Sequence, residues 1–436
     1  MTDRTSRPAA SSPDRARPRS PRLRRERIWP TLSPLLRLLI LTQLAFNVGF
    51  FAVLPFLAEH LGGALGMAGW LVGLVLGLRT FSQQGLFVVG GALTDRHGVR
   101  PVVLTGCALR IAGFGWLGYA ERTWSVLGAV LLIGFAAALF SPAVESETAR
   151  QAVHWERAGH GPRTRVLALF TVAGQAGAFT GPLLGALLLA VDFRTACLAG
   201  AGVFVLVLAG HLRLLPRHIP GRTRAPVRGG AGAVLRNRRF LALCGAYGAY
   251  LLSYNQLYLA LPAEVERATG SQAPLAWLFA LSSLLVVLAQ LPVTHWAAER
   301  LDPRRCLAAG LLLVAAGFAV VAAARPAGWT GAGGLVPAAG FVVLLTLGQM
   351  LVVPAARAWV PDLAEDGRLG LYTGALSSLS GLLVLLGSSA TGALLDGGLP
   401  PAVPWLILAA VPLLALCALP RRPEHPGGGP GTAAAR

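Results

Sequence analysis

The chain has 436 residues, of which 54% are hydrophobic and only 13% charged. No water-soluble globule of this length is so apolar, which excludes a soluble enzyme or binding module. Its 38 basic residues are all Arg and give a formal net charge of +19. They flank apolar segments instead of forming one basic face, so the partner they point to is an anionic lipid surface and no nucleic acid.

Residues 1–32 hold nine Arg among Pro and Ser and read as a disordered basic N-terminal tail. About 20 apolar residues cross the hydrocarbon core as a helix. Twelve such segments follow, at 35–57, 68–89, 101–120, 125–142, 166–191, 195–214, 241–261, 274–296, 306–323, 335–353, 371–395 and 405–419. A cytoplasmic basic linker over 215–238 separates an N-terminal bundle (33–214) from a C-terminal one (239–420), and a disordered Gly/Pro/Ala-rich tail covers 421–436. The expected fold class is an all-α membrane protein of 12 transmembrane helices in two pseudo-symmetric six-helix bundles. Arginines crowd alternate loops, among them Arg96, Arg100, Arg157, Arg163, Arg300 and Arg305. The opposite loops hold Arg122, Arg194, Arg267 and Arg325. The positive-inside rule therefore places both termini in the cytoplasm of a multi-pass cell-membrane protein. The five cysteines form no CxxC pair and read as small packing residues.

The second half repeats the first at an offset of about 204–212. Asn47, Pro55 and Glu59 match Asn255, Pro262 and Glu266. Asp95-Arg96 matches Glu299-Arg300, Pro142 matches Pro354, and Gly185–Leu188 matches Gly392–Leu395. Two like-oriented halves imply a pseudo-twofold axis along the membrane normal, with substrate between the halves near the midplane.

The segment Gly91-Ala92-Leu93-Thr94-Asp95-Arg96-His97-Gly98-Val99-Arg100 resembles the signature loop of the major facilitator superfamily, with Val99 in place of the first basic residue of the closing pair. The resemblance covers residues 33–420. It implies a conformational latch built from Gly91, Asp95, Arg96, Gly98 and Arg100. In such a latch the Asp accepts hydrogen bonds from a neighbouring helix end and the Arg pairs with an acid across the bundle. The plain alternative is a loop that only anchors topology. Gly177, Gly181, Pro182 and Gly185 resemble the antiporter motif of the same superfamily. Glycines there permit close helix approach and Pro182 removes a backbone donor; ordinary small-residue packing would leave the same trace. Residues 77–85 and 109–114 are similar to bacterial multidrug-efflux permeases of the MdtH type.

Arg79 and Arg110 fall mid-span, where a charge needs a watery cavity or a partner. With Gln83, Asn47, Tyr254 and Asn255 they are the cavity candidates. Tyr250, Tyr254 and Tyr258 share one helix face by spacing, which serves either a bulky ligand or core packing. All 19 acids are expected in loops, tails or helix ends. Glu145 and Glu147, just past Pro142, come nearest to a proton carrier, with pairing to Arg150 as the alternative. No nucleophile–base pair, metal cluster or phosphate-cradling loop is legible. The chain is thus expected to be no enzyme and to need no cofactor. The expected function is a monomeric secondary transporter that exports amphipathic small molecules by alternating access and proton antiport. Import of a sugar or organic acid is the alternative, and a membrane receptor or enzyme a more distant one.

Overall fold

The computed structural model describes residues 28–215, 231–364 and 369–419; the remainder of both tails and of the linker lies outside the described residues. Among the described residues every regular element is helical. The N-terminal half contains α1 (Pro34–Phe51), α2 (Gly69–Gly85), α3 (Val99–Leu117), α4 (Thr123–Arg157), α5 (Thr164–Leu189) and α6 (Phe193–Leu214). The C-terminal half contains α7 (Arg238–Asn255), α8 (Ala273–Arg300), α9 (Pro303–Ala324), α10 (Gly331–Leu363), α11 (Leu369–Asp396) and α12 (Val403–Cys417). Short helices extend three of these: Leu54–Glu59 after α1, Phe87–His97 after α2 and Ala260–Thr269 after α7.

Local chemistry sets the boundaries. Ser33 Oγ accepts the Leu36 N–H at 3.2 Å with Pro34 in the first turn. Asp192, Asn237 and Asp302 cap α6, α7 and α9 in the same manner, accepting from Thr195, Phe240 and Arg305. Each cap satisfies a donor that a helix start otherwise leaves open. Pro55 and Pro262 sit just inside the short helices that follow α1 and α7. Lacking an N–H, each breaks its span at the matching place in the two halves.

Packing repeats as well. In the first half α3 lies on α4, α1 on α5 and α3 on α6; in the second α9 lies on α10, α7 on α11 and α9 on α12. Contacts between halves come from α2 on α11 and from α5 on α8, which the same axis interchanges. The sequence offset is therefore a real pseudo-twofold.

Three differences from the sequence reading stand out. Pro142 does not end the fourth span, because α4 continues as a helix to Arg157. A proline removes a single backbone bond, which a helix packed on neighbours survives. Glu145 and Glu147 therefore lie inside a helix. Glu264, on Ala260–Thr269, is also within a helix and only 3% exposed, so acids are not confined to loops and helix ends. Finally, Ile28–Thr31 and Ala231–Arg236 are helical, within stretches expected to be tail and linker. The Arg37 guanidinium donates to the Trp29 and Pro30 carbonyls and holds the first of these turns against α1.

Candidate functional site

A cavity of about 830 Å³ lies between the halves, on the side of the bundle where α1 starts and α12 ends. Gln43, Asn47 and Phe51 of α1 line it, with Glu145 and Thr148 of α4 and Thr171, Gly174 and Gln175 of α5. From the other half come Tyr254 of α7, Phe279, Ser282, Ser283 and Gln290 of α8, and Gln349 and Arg357 of α10. Four glutamines and one asparagine make the wall rich in neutral donors and acceptors. Toward the opposite side the cavity ends on aromatic rings. Phe51 meets Phe279 at 6.2 Å and Tyr258 meets Phe279 at 5.5 Å.

A smaller compartment of about 200 Å³ adjoins it, sharing Asn47, Phe51 and Tyr254. Arg79, Thr80, Gln83, Phe46, Phe50, Asn255 and Tyr258 line this compartment. Arg79 donates to Gln83 Oε1 at 2.7 Å, and its guanidinium lies 4.8 Å from the Phe50 ring centroid. Asn255 donates to Ser388 of α11 at 2.8 Å and accepts from Thr80 of α2 at 3.1 Å, so one amide joins both halves. Tyr247, Tyr250, Tyr254 and Tyr258 follow one another at 5.8–6.2 Å along a single face.

Arg110 departs from expectation. It lines neither cavity and is 1% exposed. Its guanidinium is caged by Phe46, Phe204, Phe50 and Phe114, with centroids 4.3–5.5 Å away, and has no hydrogen-bond partner among the described residues. Aromatic faces supply the attraction that no carboxylate provides here.

The two glycine motifs behave differently. Gly177, Gly181 and Gly185 bring α5 against the α1 backbone: a Cβ on Gly177 would stand 2.5 Å from the Leu44 carbonyl, and one on Gly181 2.7 Å from Phe51 Cβ. Gly185 is pressed on Ala52 in the same seam, and Pro182 lies within α5. In the signature loop Gly98 has φ +85°, a turn that other residues resist, joining Phe87–His97 to α3. A Cβ on Gly91 would meet open space. Arg100 donates to the Leu215 and Leu212 carbonyls at 2.6 and 2.9 Å. It thereby ties the start of α3 to the end of α6 within its own half. Arg96 is exposed, with no described acid at ion-pair distance. Asp95 lies in the last turn of Phe87–His97, and its side chain falls outside the described residues.

The acids separate clearly. Glu145 is the one carboxylate among the described residues lining the main cavity. Glu147 points elsewhere; it is 2% exposed, pairs with Arg150 at 3.3 Å and accepts from Gln151 at 2.8 Å. Glu264 is bound by Arg267 at 2.6 Å and Arg325 at 3.2 Å, a buried cluster that sequence reasoning missed.

The sequence profile of the Major Facilitator Superfamily matches residues 38–262 and 240–436. The chain belongs to the major facilitator superfamily. It is similar to an uncharacterized MFS-type transporter of Mycobacterium tuberculosis, 39% identical over 83% of this chain and 85% of that one. It is also similar to multidrug resistance protein MdtH of Citrobacter koseri, 32% identical over 87% and 92%. Among solved structures, a POT family transporter in complex with 5-aminolevulinic acid superposes with a TM-score of 0.73 over 88% of this chain and 94% of that one. At 12% identity this shows the fold alone. The protein is thus a major facilitator transporter of the MdtH type and not an enzyme.

Sequence reasoning also missed Gln43, Gln175, Gln290, Gln349 and Arg357 in the cavity wall. The signal was present. A glutamine inside an apolar span stands out as Asn47 does, and Arg357 follows Pro354 by three residues just as Glu145 follows Pro142.

Proposed function

We propose that this major facilitator transporter exports amphipathic small molecules by alternating access in exchange for protons, with both termini in the bacterial cytoplasm. The observation that carries the reading is Glu145, the lone described carboxylate in a large inter-half cavity whose wall otherwise holds amides, hydroxyls, aromatic rings and one arginine, Arg357. A cavity of this kind binds an amphipathic molecule through many weak contacts, and a single carboxylate in it that makes no ion pair within 4 Å among the described residues takes up and releases one proton. The arginine distribution supports placing the cavity side in the cytoplasm, and the multidrug resistance name of the MdtH relatives supports export.

The test is uptake of a dye and drug panel into inverted vesicles under an imposed pH gradient. Gradient-driven accumulation is expected for the native chain. Glu145→Gln should abolish it while substrate still binds, and Glu147→Gln should leave coupling intact. Full gradient-driven transport by the Glu145→Gln, Glu147→Gln double variant would remove both acids from the mechanism.

A further inference from the structure

The end of the bundle opposite the cavity is closed by the seam between α2 and α11. Asp396, the last residue of α11, accepts a hydrogen bond from the backbone N–H of Gly69, the first residue of α2, across 327 positions of sequence. A helix start leaves its first N–H groups without intrahelical partners and carries a partial positive charge, so a carboxylate is the favoured acceptor there. Ala68, the local cap position of α2, offers no side-chain acceptor. The cap of α2 is thus supplied by the other half of the protein.

Below this contact the two backbones run close together. A Cβ on Gly69 would stand 2.6 Å from the Gly392 carbonyl and 2.7 Å from the Asp396 carboxylate, and Gly73 and Gly77 abut Ser388 and Leu385. Ser389 Oγ donates to the Trp70 carbonyl at 3.1 Å. The symmetry-related seam is built otherwise. The start of α8 is capped locally, Ser271 Oγ accepting the Ala273 N–H at 3.2 Å, and a cavity of about 400 Å³ stands beside it.

We propose that Asp396 is a latch between the halves: by capping α2 from α11 it selectively stabilises the state in which the cavity faces the side where α1 starts. Resting on the alternating-access reading, the argument is geometric. Opening the opposite side requires the far ends of α2 and α11 to part. That movement strips Gly69 of its only acceptor among the described residues, whereas the start of α8 keeps Ser271 in either state. The latch therefore weights one state without touching substrate.

The test measures the distance between spin labels at Met67→Cys and Leu399→Cys in the purified full chain with Cys417→Ser, by pulsed electron resonance. A short separation should dominate with Asp396 present. Asp396→Ala should move the ratio of long to short separations by about five-fold, the usual effect of losing a helix cap. Asp396→Asn, which retains an acceptor oxygen and the fold, should move it less. Gly69→Ala, whose methyl wedges the seam, should favour the long separation without removing the carboxylate. If Gly69→Ala shifts the ratio and Asp396→Ala does not, the latch is refuted while the two-state motion stands. If neither does, the motion fails and the latch with it. Loss of proton coupling in the vesicle assay would leave these distances unchanged.

Discussion

Replacing Gly181 by Ala tests how closely α1 and α5 must approach. The new methyl would stand 2.7 Å from Phe51 Cβ, 3.0 Å from the Val48 carbonyl and 3.2 Å from the Asn47 carbonyl. Ordinary carbon contacts lie at about 3.5–4.0 Å, so the helices have to part by about 1 Å along this stretch. Overpacking of that size costs about 1–3 kcal/mol, and a loss of this order lowers the melting midpoint by about 2–8 °C. Leu adds three further carbons at the same point and should exceed that range. The displacement moves Asn47 and Phe51, which line the cavity, so export into inverted vesicles should fall at least about ten-fold for Gly181→Leu. The effect should reach the second half too, because α5 also packs on α8. The control is Gly91→Ala, whose methyl meets nothing within 4 Å and should leave the midpoint unchanged. Equal melting of purified Gly181→Ala and Gly91→Ala would refute the close-approach argument.

Asp95→Asn should insert and fold normally yet transport far more slowly, with Asp95→Glu less affected; normal transport by the Asn variant would leave the loop as a topological anchor. Glu264→Gln should destabilise the C-terminal half by about 1–3 kcal/mol, since Arg267 and Arg325 lose their shared partner but keep some access to solvent. Thermal melting decides it, and an unchanged midpoint would show the cluster to be incidental. Arg110→Met should melt at the same or a higher temperature, because relief of burying a charge without a hydrogen bond outweighs the lost attraction of the aromatic faces and the new side chain fills the phenylalanine cage; a clear fall would mean the charge itself is needed. Asp192 accepts from Thr195, and that hydrogen bonding holds its carboxyl below the usual carboxylate range. Its contribution is present above the unfolded value of about 4 and lost as pH falls through the lower folded value. Asp192→Ala should therefore narrow its melting deficit against the native chain as the buffer is acidified from pH 5 toward pH 2, and a constant deficit would refute the linkage.

The architecture was legible because membrane spans advertise themselves: twelve apolar runs, prolines at matching offsets and arginines at alternate ends leave few alternatives. The Gly177–Gly185 spacing likewise announced a close helix approach, which the α1–α5 seam fulfils. Other features depended on three-dimensional neighbours that no local pattern encodes. Arg110 looked like a cavity residue because mid-span arginines usually need water. Of the four phenylalanines that enclose it, Phe46, Phe50 and Phe204 come from α1 and α6, far from Arg110 in sequence. Arg100 looked like part of a latch, yet its partners are carbonyls, and carbonyls leave no mark in a sequence. Asp396 was hidden for the same reason, its acceptor role depending on a backbone N–H of a helix in the other half.

Glu145 and Arg357 occupy equivalent positions of the two repeats, three residues after Pro142 and Pro354, and both face the same cavity. Two identical halves around a true twofold axis can only set like against like at such positions, acid to acid or base to base. Setting an acid and a base at such positions takes two copies that have diverged, as the halves of this chain have. This cavity is therefore a place where divergence of the two bundles changed what the protein can hold electrically, while the backbone kept its symmetry.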